Sequence, residues 1–236
     1  MIFAGIVAGG SGTWIKNADK PKQFIEIGGV PILIRTIRAF EEIGEIERIY
    51  VGINPDWHDY ADKLLEEFDI STKRVRLVTG GKDRNGTVMN ILREVTALFG
   101  VNKGDVLITH DAVRPFVSEK IIRENIETAM KTAACGTYIP SDDTVIRTTD
   151  GMTVTENLPR KQLMRAQTPQ TFEISTLCEC IRKLGDEKLS MLTDTCGILT
   201  ECGYPIHIVQ GEPMNFKITT DHDLMIAGLM AMSERQ

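Results

Sequence analysis

The chain has 236 residues, 42% hydrophobic and 25% charged, which suits one globular α/β domain (residues 1–236) and excludes a disordered chain. Its 27 basic and 33 acidic residues give a net charge of −6, which argues against nucleic acid or an anionic membrane as the main partner. The five cysteines (Cys135, Cys178, Cys180, Cys196, Cys202) are odd in number and lack paired CxxC units, so neither a disulfide framework nor a zinc site is indicated, and free thiols in a reducing cytoplasm are expected.

The chain opens on an apolar run at 2–7, the length of a buried strand and too short for a signal peptide or a membrane span. Leu33, Ile37 and Phe40 then fall at helical spacing behind Pro31, which suits a helix start. Runs rich in Val and Ile follow at 49–53, 75–78, 106–109 and 137–139, separated by helical patterns at Val88, Ile91, Leu92 and Val95 and at Ile122, Ile126 and Met130. Strands apolar on every position, alternating with helices, predict a three-layer, Rossmann-like α/β fold with a mostly parallel sheet. Ligands of such sheets sit beyond the carboxyl ends of the strands, which singles out the loops at 8–23, 79–87 and 110–115. After Pro140, β-branched runs at 144–149 and 152–155 flank Asp150-Gly151, a two-residue hairpin signal. A polar hairpin has little core of its own, so an arm at about 141–170 is expected to project and pack on a second subunit of a homodimer. The last helix should start near Thr220, capped by its hydroxyl and by Asp223.

The loop Ala8-Gly9-Gly10-Ser11-Gly12 lets backbone N–H groups approach a phosphate or a base, although a tight strand-to-helix turn also wants glycine. No Gly-Lys-Ser/Thr follows at P-loop spacing, and Ile15 stands where a dinucleotide fingerprint needs glycine or alanine, which disfavours a nicotinamide enzyme. Lys22, fixed behind Pro21, can serve as a placed charge for phosphate. Arg84 opens the third helix, as an exposed residue or in a structural or phosphate role.

Six segments in register carry a resemblance: Ala8-Gly9-Gly10-Ser11-Gly12, Pro21-Lys22-Gln23-Phe24, Gly80-Gly81-Lys82-Asp83-Arg84, His110-Asp111-Ala112-Val113-Arg114-Pro115, Gln167-Thr168-Pro169-Gln170 and Asn215-Phe216-Lys217-Ile218-Thr219. Through nearly its whole length the chain resembles the sugar-phosphate cytidylyltransferases, those acting on 2-C-methyl-D-erythritol 4-phosphate and on ribitol 5-phosphate. The resemblance implies transfer of CMP from CTP to a polyol phosphate with release of pyrophosphate, and Mg²⁺ bound mainly through the CTP phosphates, with no protein metal site. It places Ala8, Gly9, Gly10 and Gly12 against the nucleotide, Gly81, Lys82 and Thr87 around the cytosine, and Lys22 and Lys217 on the phosphates. Asp111, Arg114, Thr144, Arg160 and Thr168 fall on the polyol phosphate, with Thr144 and Arg160 reaching a neighbouring subunit's site. For Asp111 and Arg114 a local structural ion pair is the competing expectation.

In one respect the chain departs from that pattern. The family's arginine two residues after Gly12 is replaced by Trp14, which has one neutral donor and cannot neutralise a phosphate. Loss of such a contact is worth roughly 2.7–4 kcal/mol in the transition state. Lys16 and Lys20 lie close enough in sequence to compensate; without compensation the chain is a weak or inactive CTP-binding homologue. Asp56-Trp57 and the eight-residue spacing from Gly12 to Lys20 resemble the ribitol 5-phosphate branch more closely, so the resemblance leans the acceptor towards ribitol 5-phosphate, with methylerythritol phosphate the alternative.

Overall fold

The computed structural model describes residues 1–10 and 20–233. In chain order the elements are β1 (Ile2–Ala8), β2 (Glu26–Ile27), β3 (Val30–Pro31), α1 (Ile32–Glu41), β4 (Arg48–Ile53), α2 (His58–Glu67), β5 (Val75–Thr79), α3 (Arg84–Phe99), β6 (Val106–Asp111), α4 (Glu119–Thr132) and β7 (Ala134–Pro140). Then come β8 (Ile146–Arg147), β9 (Glu156–Asn157), β10 (Met164–Glu173), α5 (Ile174–Met191), which is interrupted at Gly185, α6 (Thr195–Glu201), β11 (His207–Gln210) and α7 (Asp221–Ser233).

Seven strands form one sheet in the order β11-β7-β10-β6-β1-β4-β5. All neighbours pair in parallel except β10, which runs antiparallel between β6 and β7. Alternation along each strand builds two cores, one per face. Ala4, Ile6, Ile49, Val51 and Ile108 pack with Leu33, Ile37 and Phe40 of α1, Leu64 of α2 and Ile122 of α4. Phe3, Tyr50, Leu107 and Phe172 point the other way, onto Ile91 and Val95 of α3, Leu177 of α5 and Leu199 of α6. This is the three-layer, mostly parallel arrangement expected. Among the described residues no helix is long and apolar enough to cross a membrane, and all five cysteines are free thiols.

Two local features differ from the sequence-based expectation. The segment 164–170, assigned there to the arm, belongs to the sheet through β10, which pairs from Met164↔Pro140 onward. The hairpin itself is present, as Ile146↔Asn157 and Arg147↔Glu156, but its tip is longer than the two residues Asp150-Gly151. The Asp150 carboxylate accepts from the backbone N–H groups of Met152 and Thr153, both at 2.8 Å, and from the hydroxyls of Thr148 and Thr153. That side-chain turn competes successfully with ladder pairing at the tip. At the other end of the chain the cap at Thr220 forms as expected: its hydroxyl accepts from the Asp223 N–H at 3.2 Å while Asp223 accepts from the Thr220 N–H at 2.8 Å.

Candidate active site

A cleft opens beyond the carboxyl ends of β1 and β6, lined by Ala8, Gly9, Gly10, Lys22, Gln23, Lys82, Asp83, Arg84, Thr87, Asp111, Ala112, Val113 and Lys217. Each stretch has a local reason to be there. Pro21 sets up the single 3-10 turn that carries Lys22 and buries Gln23. The Gln23 amide donates to the carbonyls of Ala8 (3.0 Å) and Gly10 (3.3 Å), which fixes the path of the glycine loop. Asp83 is the N-cap of α3 and accepts from the Gly86 N–H at 2.7 Å. The sixteen-residue helix therefore directs its positive end at the cleft.

The glycines have two distinct roles. A Cβ on Gly81 would lie 2.3 Å from the Gly86 carbonyl carbon, and one on Gly9 would lie 2.7 Å from the Thr87 hydroxyl. Both are glycine because the first turn of α3 packs against them. Gly10 has open space where a Cβ would stand, so there the backbone is free to meet a ligand.

Among the described residues, four cations (Lys22, Lys82, Arg84, Lys217) and two carboxylates (Asp83, Asp111) face this cleft, in a chain that is acidic overall. Asp111, only 6% exposed, receives Arg84 Nε at 3.0 Å, Lys217 Nζ at 3.0 Å and Arg114 Nε at 3.6 Å. Burial opposes its ionisation, but the three cations, Arg84 foremost, outweigh that and hold its pKa far below the usual carboxylate range. Asp111 is thus a fixed anion that spaces cations apart. Burial, then the nearby charge of Lys217, lowers the pKa of Lys22; a polyanion in the cleft would reverse the second effect.

The expected site residues divide into three groups. Ala8, Gly9, Gly10, Lys22, Lys82, Thr87, Asp111 and Lys217 meet at the cleft, with Gly81 just behind, its N–H donating to the Thr87 hydroxyl at 3.0 Å. Arg114 and Thr168 are buried behind Asp111: Arg114 Nη1 donates to the Asn215 carbonyl at 2.8 Å, and the Thr168 hydroxyl accepts from the Asp111 N–H at 3.1 Å. Thr144 and Arg160 are exposed on the arm, and Arg160 donates to the Asp142 carbonyl at 3.2 Å. Gly12, Trp14 and Lys16 lie outside the described residues. Lys20, considered above as a substitute for the arginine, instead places its ammonium 3.2 Å from the Tyr60 hydroxyl.

Of the expectations for Arg84, the structure shows a structural role: it joins Asp111 to the Thr195 hydroxyl, 3.2 Å from its Nη1. Other contributors escaped the sequence reading. Asn85 donates to the Leu192 carbonyl at 2.7 Å and Gln170 to Asp194 at 2.7 Å, which ties α3 and β10 to the start of α6. Among the described residues no group of three or more His, Cys, Asp or Glu side chains could hold a metal. Of the two described carboxylates that line the cleft, Asp111 is engaged by cations and Asp83 caps a helix, so the described donors do not fit a magnesium cage.

A family model described as IspD, 2-C-methyl-D-erythritol 4-phosphate cytidylyltransferase, matches residues 2–233. Among solved structures, the 4-diphosphocytidyl-2C-methyl-D-erythritol synthase of Anaerococcus prevotii is 29% identical with a TM-score of 0.81, covering 98% of each chain. The 2-C-methyl-D-erythritol 4-phosphate cytidylyltransferase of Francisella tularensis is 27% identical with a TM-score of 0.80, covering 97% of this chain and 98% of its own. That of Thermus thermophilus is 25% identical with a TM-score of 0.74, covering 98% and 100%.

Proposed function

We propose, from the premise that this chain belongs to the 2-C-methyl-D-erythritol 4-phosphate cytidylyltransferase family, that it transfers CMP from CTP to methylerythritol phosphate. The family's members are cytidylyltransferases, and the chain is a nucleotidyltransferase of that kind. The finer point is the acceptor. The names of the family and of the three relatives favour methylerythritol phosphate over the ribitol 5-phosphate towards which the sequence leaned.

The observation that carries the proposal is the convergence of Lys22, Lys82, Arg84 and Lys217, from separate segments, on one cleft at the strand ends. Both substrates are polyanions. A phosphate monoester is already largely dianionic near neutral pH, because its second pKa is about 6, so its oxygen attacks the α-phosphorus of CTP without a protein base. A bond forms between that oxygen and the α-phosphorus. The bond from the α-phosphorus to the oxygen bridging to the β-phosphorus breaks, and its electron pair leaves on pyrophosphate. Catalysis then consists of alignment and of fixed positive charge where negative charge gathers. In this reading Lys22 and Lys217 serve the phosphates, Lys82 and the start of α3 serve the nucleotide, and Gly10 admits it to the backbone. Mg²⁺ travels on the triphosphate, and no step here depends on a metal site of the chain.

We assign Thr144 and Arg160 to the acceptor phosphate of a neighbouring subunit. Val145, Ile146, Met152 and Val154 of the arm are 37–89% exposed, which supports burial of the arm against a second copy. Pyrophosphate release from CTP and Mg²⁺, with methylerythritol 4-phosphate and ribitol 5-phosphate offered separately, tests the acceptor. Release with the first alone is expected, and release with ribitol 5-phosphate alone would reverse the assignment.

A further inference from the structure

His110, at the end of β6, is fully buried, with its ring 5.1 Å from that of Phe40. Its nitrogens are 3.0 Å from the Arg114 carbonyl and 3.0 Å from the Thr168 hydroxyl. The first of these partners can only accept, so Nε2 carries the proton. The Thr168 oxygen already accepts from the Asp111 N–H, which leaves its own proton for a bare Nδ1. For a neutral imidazole these partners permit this one placement of protons.

The bonds close on themselves. His110 donates to the Arg114 carbonyl, Arg114 Nη1 donates to the Asn215 carbonyl at 2.8 Å, and Asn215 Nδ2 donates to the Thr168 carbonyl at 2.8 Å. Thr168 returns to His110 through its hydroxyl. All four residues are at least nine-tenths buried. Asp111 hangs from this ring by its N–H. Lys217 follows Asn215 by two residues, and the next residue, Ile218, donates to the Val113 carbonyl at 2.9 Å. The Lys217–Asp111 contact of 3.0 Å is therefore framed by the ring on both sides.

We propose that His110 is a positioning residue, which closes a His110–Arg114–Asn215–Thr168 ring that sets Lys217 and Asp111 at the reacting phosphates. Thr168 acts through that ring rather than by touching the acceptor. The nucleotide-side residues Lys82 and Thr87 stand outside it, so the ring governs turnover rather than CTP affinity.

The inference rests on the cytidylyl transfer proposed above, so wild type is assayed beside His110→Phe, Thr168→Val, Thr168→Ser and the double variant His110→Phe/Thr168→Val. Misplaced catalytic groups slow turnover steeply, so kcat is expected to fall about tenfold or more in His110→Phe and Thr168→Val. The KM for CTP should stay within about threefold, and Thr168→Ser, which keeps the hydroxyl, within about twofold of wild type throughout. The double variant should be no worse than its poorer parent, as for members of one unit. A kcat close to wild type in both single variants, a change confined to KM, or multiplying defects in the double variant would each overturn the proposal. Should the variants not fold, the imidazole ¹⁵N–¹H spectrum of wild type decides: a His110 protonated on Nε2 alone at neutral pH supports the ring, and any other form overturns it. That spectrum does not depend on turnover, whereas a wild type silent with every acceptor overturns the reaction and leaves the ring to be judged by the spectrum.

Discussion

Arg84 and Arg160 sit in contrasting surroundings, one in the cleft and one on the arm. In the cleft, Arg84 is held by the Asp111 carboxylate and the Thr195 hydroxyl, and Asp111 is itself gripped by Lys217 and Arg114. In the arm, residues 142–157 are exposed throughout, and the Arg160 guanidinium donates to a backbone carbonyl, that of Asp142. Arm pairs such as Arg147–Glu156 (3.4 Å) and Arg165–Asp142 (2.9 Å) are surface pairs, which contribute little to order. Among the described residues, a single chain thus brings Lys22, Lys82, Arg84 and Lys217 together on one cleft. Asp111 lines that cleft too, whereas Thr144 and Arg160, assigned above to the acceptor, stand outside it.

The largest effect should come from the cleft. Lys217→Ala removes a charge aimed at the reacting phosphates and should lower kcat about 10²–10³-fold, as for loss of one transition-state contact; steady-state pyrophosphate release measures it. Next is stability. Burial lowers the pKa of His110 from 6.5 to about 4, so as pH falls the unfolded chain takes up the proton first. Its contribution is complete above about pH 6.5 and is lost as pH falls towards 4, on the order of 3 kcal/mol at ~1.4 kcal/mol per pH unit. Urea unfolding at pH 7 and pH 4.5 should show that loss in wild type, and His110→Phe should flatten it.

Two smaller effects sharpen the contrast with the arm. Arg160→Ala should leave stability within about 0.5 kcal/mol, as for an exposed side chain, yet lower activity. In a dimer that shares its sites as proposed, mixing the impaired Lys217→Ala and Arg160→Ala subunits should restore activity towards about a quarter of wild type, because half the dimers would be mixed with one of their two sites intact. No recovery on mixing would place Arg160 in its own subunit's site. Finally, Trp14→Arg adds a donor fork to the phosphate loop and should raise kcat several-fold; an unchanged rate would mean that the chain's other cations already carry that charge.

Strands apolar at every position and helices of regular period were legible in the sequence, because burial on both faces of a parallel sheet leaves a continuous apolar run. The strand β10 was not. Four of its six buried positions are Gln167, Thr168, Gln170 and Thr171, all at most 5% exposed, and polar residues buried for hydrogen bonding leave no hydrophobic pattern. The lysines and glycines of the cleft could be found because they sit in short motifs of known spacing; Arg84, His110 and Asn215 sit in the same motifs, but their contacts could not be read there. Arg84, Asn85, His110 and Asn215 act on partners 27 to 111 residues away, or through a carbonyl four residues on. No local spacing encodes such contacts. Gly9 was read for backbone access to a phosphate or a base and Gly81 for a place around the cytosine, whereas their immediate need is the close approach of α3.

The most direct test of the central claim follows the α-phosphorus itself. CTP labelled at that atom, incubated with Mg²⁺, methylerythritol 4-phosphate and the protein, should yield one labelled product whose mass equals CMP joined to the acceptor, with an equal amount of pyrophosphate. Label that remains in CTP, or that appears as free CMP whether or not the acceptor is present, would contradict it.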